Sequence, residues 1–371
     1  MYKKLTKKSK KITKLSKKVK VNKLKYNPTF ILSMRDDGVE YNTDIFRSMI
    51  TKLGLKETKN ANTPTSYLHL QHMENGRYEN KYYETPSLLM NILDKQKSVI
   101  TNKSNLYFNF SKKYPKECKK YMATTWDARK FPSSNFNGKN VFIIRPVGVG
   151  AFSGFGIDVV SNKQELDKTL KKLHKFPTVI ISEYIKNPML WDDKKFHVRS
   201  YLLVKNINNE LTTYFYDFYE IFTAEKKYIK GDWHNKDIHD THLKSVGKYV
   251  MGPHDFNNVN KELFNNKIYP QMEDCMKYVS KLIEGNAHPY PNAQHGFEIF
   301  GCDFMIDEDY NVKLLEVNDH TGLSMSDFPD RKDEFSKIYF GKINDLVLIP
   351  YFNPKKINLK SQQPLYSSKL K

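Results

Sequence analysis

The sequence predicts an α/β (α+β) protein of more than one domain, and three features predict it. From residue 28 onward, runs of β-branched and aromatic residues alternate with segments of helical periodicity, the pattern of sheets covered by helices. A glycine-rich stretch, residues 148–156, lies between two such strand runs. Residues 297–318 read as a β-hairpin, Phe297-Glu-Ile-Phe-Gly-Cys-Asp303-Phe-Met-Ile, then the polar turn Asp307–Asn311, then Val312-Lys-Leu-Leu-Glu316-Val-Asn318. A chain of 371 residues can bury a sizeable core and divide into two or three domains.

Order is expected to begin near Asn27. Phe30 to Met34 is a strand candidate, Arg35 to Gly38 a polar turn, and Thr43 a cap for a helix with Ile45, Phe46, Met49, Ile50 and Leu53 on one face and Gly54 at its end. Thr58 to Lys139 carries little periodic signal, and Trp126 to Asn140, with Pro132, Ser133, Ser134 and Gly138, reads as a loop. Val141 to Pro146 is a buried strand, and Ile157 to Val160 another. The glycines between them let backbone N–H groups approach a phosphate, although a plain hairpin has the same pattern. Neither a P-loop nor a dinucleotide fingerprint is present.

Ser161 and Gln164 form a capping box for a helix through Lys175, with Leu166, Leu170 and Leu173 inward and Pro177 as its stop. Thr178 to Ile185 is the next strand. In Lys195-Phe-His197-Val-Arg199, alternation puts the three basic residues on one face and Phe196 and Val198 in the core. Leu211 to Tyr216 and Glu220 to Phe222 read as a further pair of strands. His239 and His242 at i, i+3 lack a third partner for zinc. Pro270 opens a buried helix striped by Met272, Cys275, Met276, Val279 and Ile283.

In the hairpin, Glu316 and Asn318 share a face, and a paired strand brings Asp303 opposite them. Two carboxylates and an amide, all hard oxygen donors, suit Mg²⁺. A strand-end Asp and an ordinary ion pair of Glu316 would give the same residues.

Glu316-Val-Asn318 after a buried run, with Phe297-Glu-Ile-Phe-Gly-Cys-Asp303-Phe-Met before it, resembles the metal-binding end of the ATP-grasp ligases of the tubulin–tyrosine ligase-like family. The resemblance implies that Asp303, Glu316 and Asn318 hold the Mg²⁺ that bridges ATP phosphates. It implies an ATP lid around Gly154 and Gly156, with Arg145 where the family has Lys, and an adenine hinge at Glu183, Tyr184 and Ile185. Lys195-Phe-His197-Val-Arg199 resembles the family's Lys-Phe-Asp-Ile-Arg strand, so Lys195 would touch ATP and Arg199 the transferring phosphate, with His197 in place of Asp near the ribose or metal. Phe222 stands about where the family has Arg, and the glycine loop lacks the family's Arg. Residues 28–36 are similar to the start of the family's first domain, which turns Arg35 to the active site; an Arg after a strand is as readily a surface ion-pair partner. His239 to Ser245 is similar to a His-Leu-Thr-Asn segment, and the loop after Asn318, with His320, to the acceptor loop.

The implied architecture is a Lys-rich tail over 1–26, a small N-terminal α/β domain over 27–80, a central domain over 81–186, a C-terminal mixed or antiparallel sheet domain over 187–348, and a disordered tail over 349–371. The implied reaction is ATP-dependent: a carboxylate becomes an acylphosphate and the amine of a free amino acid attacks it. A relative that binds nucleotide and an acidic partner without catalysis is the second reading, motivated by His197, Phe222 and the Arg-free glycine loop.

Residues 1–25 hold 12 Lys and no acid, and removing those charges from the total of +20 leaves about +8. Such an arm suits an acidic protein substrate, tubulin being the family's example, and equally a nuclear import signal, an acidic lipid surface or a solvated tail. A nucleic-acid role has no RNP-like run or helix-turn-helix pattern behind it. No apolar run approaches the ~20 residues of a membrane span, and no signal peptide is evident, so the expected location is cytoplasmic. Cys118, Cys275 and Cys302 form no CxxC pair and read as structural thiols.

Overall fold

The computed structural model describes residues 29–33, 43–58, 66–71, 88–90, 97–148, 158–241, 261–284, 295–319, 332–356 and 363–369. In chain order, β1 (Thr29–Ser33) leads to α1 (Thr43–Lys52), β2 (Lys56–Glu57), β3 (Ser66–Gln71) and β4 (Leu88–Met90). The helices α2 (Ser98–Thr101), α3 (Lys103–Lys113) and α4 (Pro115–Tyr121) follow. Then come β5 (Thr125–Asp127), β6 (Phe142–Val147), β7 (Asp158–Val160), α5 (Lys163–Lys172) and β8 (Thr178–Glu183). The C-terminal half holds β9 (Leu190–Trp191), β10 (Lys194–Ile207), β11 (Glu210–Lys227), α6 (Lys236–His239), α7 (Tyr269–Glu284), β12 (His295–Ile306), β13 (Val312–Asn318), α8 (Lys332–Ile343), α9 (Ile349–Phe352) and β14 (Tyr366–Lys369).

Two sheets result. Ten strands form the larger, in the order β14-β11-β10-β12-β4-β3-β1-β2, with β13 on β12 and β9 on β10; β5-β8-β6-β7 form the smaller. The long hairpin β10–β11 turns at Asn208-Asn209, whose φ values of 55° and 59° suit a two-residue type I′ turn. Along β10, Phe196, Val198, Leu202 and Val204 pack under α3 and α7, together with Phe300, Cys302 and Phe304 of β12. The opposite face carries Lys195, His197 and Arg199 and continues into Tyr201 and Leu203, which pack with Phe297, Ile299, Phe46 and Phe340. Strict alternation therefore sends one face wholly into core and splits the other between core and site. The smaller sheet has its own core of Phe142, Ile144, Leu166, Leu173 and Ile181.

Several expectations change. The two strands expected at 211–216 and 220–222 are one strand, because a bulge opposite Tyr201 absorbs the exposed Asp217 and Ser200 Oγ donates to the Tyr216 and Phe218 carbonyls at 3.0 and 2.9 Å. The α5 cap is Asn162, not Ser161: Asn162 accepts from Glu165 N at 2.9 Å, while the Glu165 carboxylate takes Ser161 N at 2.7 Å. That helix ends at Lys172, short of Lys175. Thr125–Asp127, expected to be largely loop, pairs with β8. In the expected disordered tail, β14 pairs with β11 and Ser368 Oγ reaches Glu284 at 2.5 Å, so polar partners at the sheet edge order a segment with little apolar signal. β1, β2 and β3, from the stretch expected as an N-terminal α/β domain, share one sheet with the C-terminal strands, since β4 pairs with both β3 and β12.

The region of poor signal, 58–139, includes three helices. Asn102 caps α3 by accepting from Ser104 N and Asn105 N, and Leu106, Phe110, Cys118 and Tyr121 are buried on the larger core. Asn102→Ala is expected to lower stability by about 1 kcal/mol in urea unfolding, since both orphan N–H groups lose their acceptor. A change below about 0.3 kcal/mol would show that water replaces the cap.

Candidate active site

The site lies between the two sheets, in a cavity of about 310 Å³. Arg145 of β6, Glu183 of β8, and Tyr184 and Ile185 just beyond it line the cavity from the smaller sheet, while Lys195, His197, Asp303 and Glu316 line it from the larger one. Arg35, Gly154, Gly156, His242 and His320 lie outside the described residues.

Asp303 and Glu316 are direct partners across β12–β13, and Asn318 follows on the same face. The Asn318 amide donates to Asp303 Oδ2 at 3.2 Å and to Glu316 Oε1 at 3.0 Å, so the three oxygen-bearing groups converge. Each carboxylate also has a cation. Arg199 donates to both Asp303 oxygens, at 2.7 and 2.8 Å, in a buried two-point pair. Burial opposes the Arg199 charge, and Asp303 outweighs that cost and holds the guanidinium firmly protonated. Arg199 therefore sits behind Asp303 rather than on the cavity wall. Lys103, from the first turn of α3, reaches Glu316 Oε2 at 2.8 Å.

Other basic groups face the cavity with less compensation. Arg145 donates to the Leu315 carbonyl and Ser182 Oγ, both at 3.3 Å, and its buried Nε has no hydrogen-bond partner. Burial weakens its charge, and Glu316 partly restores it. Lys195 is buried and donates to the Tyr184 hydroxyl at 2.7 Å. Desolvation pushes its ammonium down to about 7 against the pull of Asp240. His197 Nδ1 lies 2.6 Å from Thr241 Oγ1, and its ring stacks on Phe222 at 4.8 Å with a 3° interplanar angle. The Arg199 guanidinium stands 5.2 Å from the same Phe222 ring, so Phe222 packs against both an imidazole and a guanidinium. At the expected hinge, Glu183 N donates to the Thr124 carbonyl and Tyr184 N to the Val141 carbonyl, both at 2.9 Å.

Sequence reasoning missed Lys103, Trp233 and Asp240. Lys103 is 213 positions from Glu316, and only the Asn102 cap before an amphipathic run marked its helix. Lys97 was missed as well: it lies 3.5 Å from the buried Glu298 and 3.2 Å from Asp319, just past Asn318. Those two acids outweigh burial and raise its ammonium.

The residues fit a magnesium-bound polyphosphate. Two carboxylates and an amide supply hard oxygen atoms, and Arg145 Nε is a buried donor still lacking an acceptor. Among the described residues, no three His, Cys, Asp or Glu side chains gather as a metal cluster, so the amide of Asn318 would have to complete the set.

A model of the Tubulin-tyrosine ligase family matches residues 69–332, which include every element around this cavity. The chain belongs to that family. Its mixed α/β architecture, with the antiparallel strands β9–β14 continued by the parallel strands β1–β4 in one sheet and a smaller sheet beside it, is consistent with the ATP-grasp-like fold of these proteins. Among relatives of this family member, tubulin glycylase 3C of Tetrahymena thermophila is 26% identical over 216 residues, 53% of this chain and 20% of that protein. A probable tubulin–tyrosine ligase of Saccharomyces cerevisiae is 28% identical over 177 residues, 42% of this chain and 23% of that protein. A protein monoglycylase of Homo sapiens is 24% identical over 223 residues, 50% of this chain and 24% of that protein. The chain thus aligns with about a fifth to a quarter of the length of these relatives. Among the described residues, no helix is long and apolar enough to cross a membrane.

Proposed function

We propose that this family member is an ATP-dependent amino-acid ligase that joins glycine, tyrosine or glutamate to a protein carboxylate, with an acidic tubulin tail as the acceptor. The single observation that supports this reading most is that Asp303 and Glu316, bridged by the Asn318 amide, line one cavity with Arg145 and Lys195. The names of the relatives support the acceptor and the amino-acid class.

Magnesium, when bound, would supply charge neutralisation on phosphate oxygens and hold them in place. In that arrangement Asp303, Glu316 and Asn318 are the residues that would hold it. Arg145 and Lys195 would bind the phosphate chain, Lys195 only while it carries its proton. The apolar part of the wall, Ile143, Val159, Met305 and Leu314, suits a flat base and excludes water from it. Arg199, fixed on Asp303, orients that carboxylate. A carboxylate substrate would be activated as an acylphosphate and attacked by the amino acid's amine, with the chain's cations stabilising the growing negative charge.

The test is Mg²⁺-dependent ATP binding by calorimetry, followed by ADP release in the presence of tubulin and mixed amino acids. ADP formed only when an amino acid is present supports the ligase. ATP binding without turnover supports a second reading, a nucleotide-binding relative without catalysis, which the Arg199–Asp303 pair and the Phe222 stack favour. No ATP binding would remove both.

A further inference from the structure

Three side chains from three elements form a hydrogen-bond chain whose direction is set by chemistry. The Asp232 carbonyl can only accept, so the His239 Nε2 that lies 2.6 Å from it carries the ring proton. His239 Nδ1 is then an acceptor, and the Tyr184 hydroxyl 2.6 Å away donates to it. The Tyr184 oxygen in turn accepts from Lys195 Nζ at 2.7 Å. Tyr184 and Lys195 are both buried, and Trp233 meets Tyr184 edge-on at 5.6 Å, which holds the chain in place.

We propose that Tyr184 and His239 are positioning residues that set where the Lys195 amine sits and whether it carries its proton, so that an anionic phosphate entering the cavity binds together with a proton. This inference rests on the cavity being a nucleotide site, and gives Tyr184 a side-chain role distinct from a hinge backbone. The groups facing the amine are Tyr184 beyond β8, His239 on α6 and Asp240 just after it. Tyr228 after β11, whose ring meets His239 edge-on at 5.9 Å and whose hydroxyl donates to the Lys186 carbonyl at 2.7 Å, stands beside the Tyr184 hydroxyl. Asp240 favours the charged amine, burial opposes it more strongly, and the balance falls near neutral pH. Burial and Lys195 itself act against a charge on His239, in keeping with its role as acceptor. The sign follows. Below about pH 7 Lys195 is already an ammonium and binding takes up no proton. Above it the amine is neutral, and an incoming phosphate draws one proton from solvent onto Nζ, with no other bond made or broken.

The decisive measurement is a ¹³Cε NMR titration of the full chain labelled at lysine, with the Lys195 signal assigned by its loss in Lys195→Met. A wild-type midpoint near 7 that falls by about one unit in Tyr184→Phe is expected, because the ammonium loses its acceptor. His239→Leu should shift the midpoint the same way, and His239→Gln, whose amide can both accept and donate, should restore it. Equal midpoints in wild type, Tyr184→Phe and His239→Leu overturn the proposal. Calorimetry with Mg²⁺ and ATP in two buffers of different ionisation heat adds a second reading. Proton uptake near zero at pH 6 and approaching one at pH 8, with affinity about tenfold lower in Tyr184→Phe, is expected. Uptake that does not vary with pH, in protein that binds ATP, overturns the proposal. Wild-type protein that binds no ATP would refute the ligase instead, and the NMR midpoints would still decide the role of Tyr184 and His239.

Discussion

Glu316→Gln is expected to weaken Mg²⁺-dependent ATP binding by at least about 10–100-fold, the loss typical when a metal's ligand sphere is disturbed. The substitution is nearly isosteric. Its amide oxygen can still accept from Asn318 Nδ2, which now lies 3.0 Å from Glu316 Oε1, so the hairpin should keep its shape. What disappears is the negative charge. Lys103 loses its partner in a half-buried pair, which costs the fold only about 1 kcal/mol. A fall in affinity without a comparable fall in unfolding free energy therefore isolates the metal role of Glu316. Lys103→Met provides the contrast, because it leaves the carboxylate in place and should weaken ATP binding less. Calorimetry with and without Mg²⁺ measures both, and wild-type affinity in Glu316→Gln would remove Glu316 from the metal site.

The largest effect on stability is expected from Arg199→Met. Asp303 is 1% exposed and takes both of its closest hydrogen bonds from Arg199, so the variant leaves a buried carboxylate with only the Asn318 amide and a His197 nitrogen at 4.0 Å. Breaking one side of such a pair costs about 3–5 kcal/mol, most of it the price of a stranded charge rather than the worth of the pair. Arg199→Met with Asp303→Asn removes both charges and should recover a large part of that loss. Urea unfolding of the two single variants and the double one closes the cycle. If Arg199→Met lies within about 1 kcal/mol of wild type, Asp303 is solvated or neutral in the variant, and the ion pair is not what holds β10 to β12.

Much of the site was legible because strands impose a two-residue period. Lys195, His197 and Arg199 fall on one face and Phe196 and Val198 on the other by backbone geometry alone, while the β12–β13 turn length sets Phe304 opposite Leu314 and a one-residue bulge at Leu315, without a signal in the sequence, brings Asp303 opposite Glu316. The Met and Cys stripe of α7 was legible for the same kind of reason, a period of 3.6 over 16 residues. Helices α2 to α4 were not, because they are short, α3 and α4 are Lys-rich, and only four of their residues carry the buried face beyond Ile100. The single strand β11 was missed because Asp217 looks like a break until a bulge is allowed.

Alternation and turn placement are local, and the sequence by itself determined them: which residues share a strand face and where the β10–β11 and β12–β13 hairpins turn. What those residues touch is not local. Arg199 might have faced the cavity as readily as Asp303 on strand logic, and the register of β10 against β12 decided that the two pair with each other. Lys103 reaches Glu316, and His239 reaches Tyr184, only because helices far apart in the chain end beside those residues. Charge pairing follows distance in space, and a chain's period carries no information about which distant segment fills that distance; only the tertiary fold supplies it.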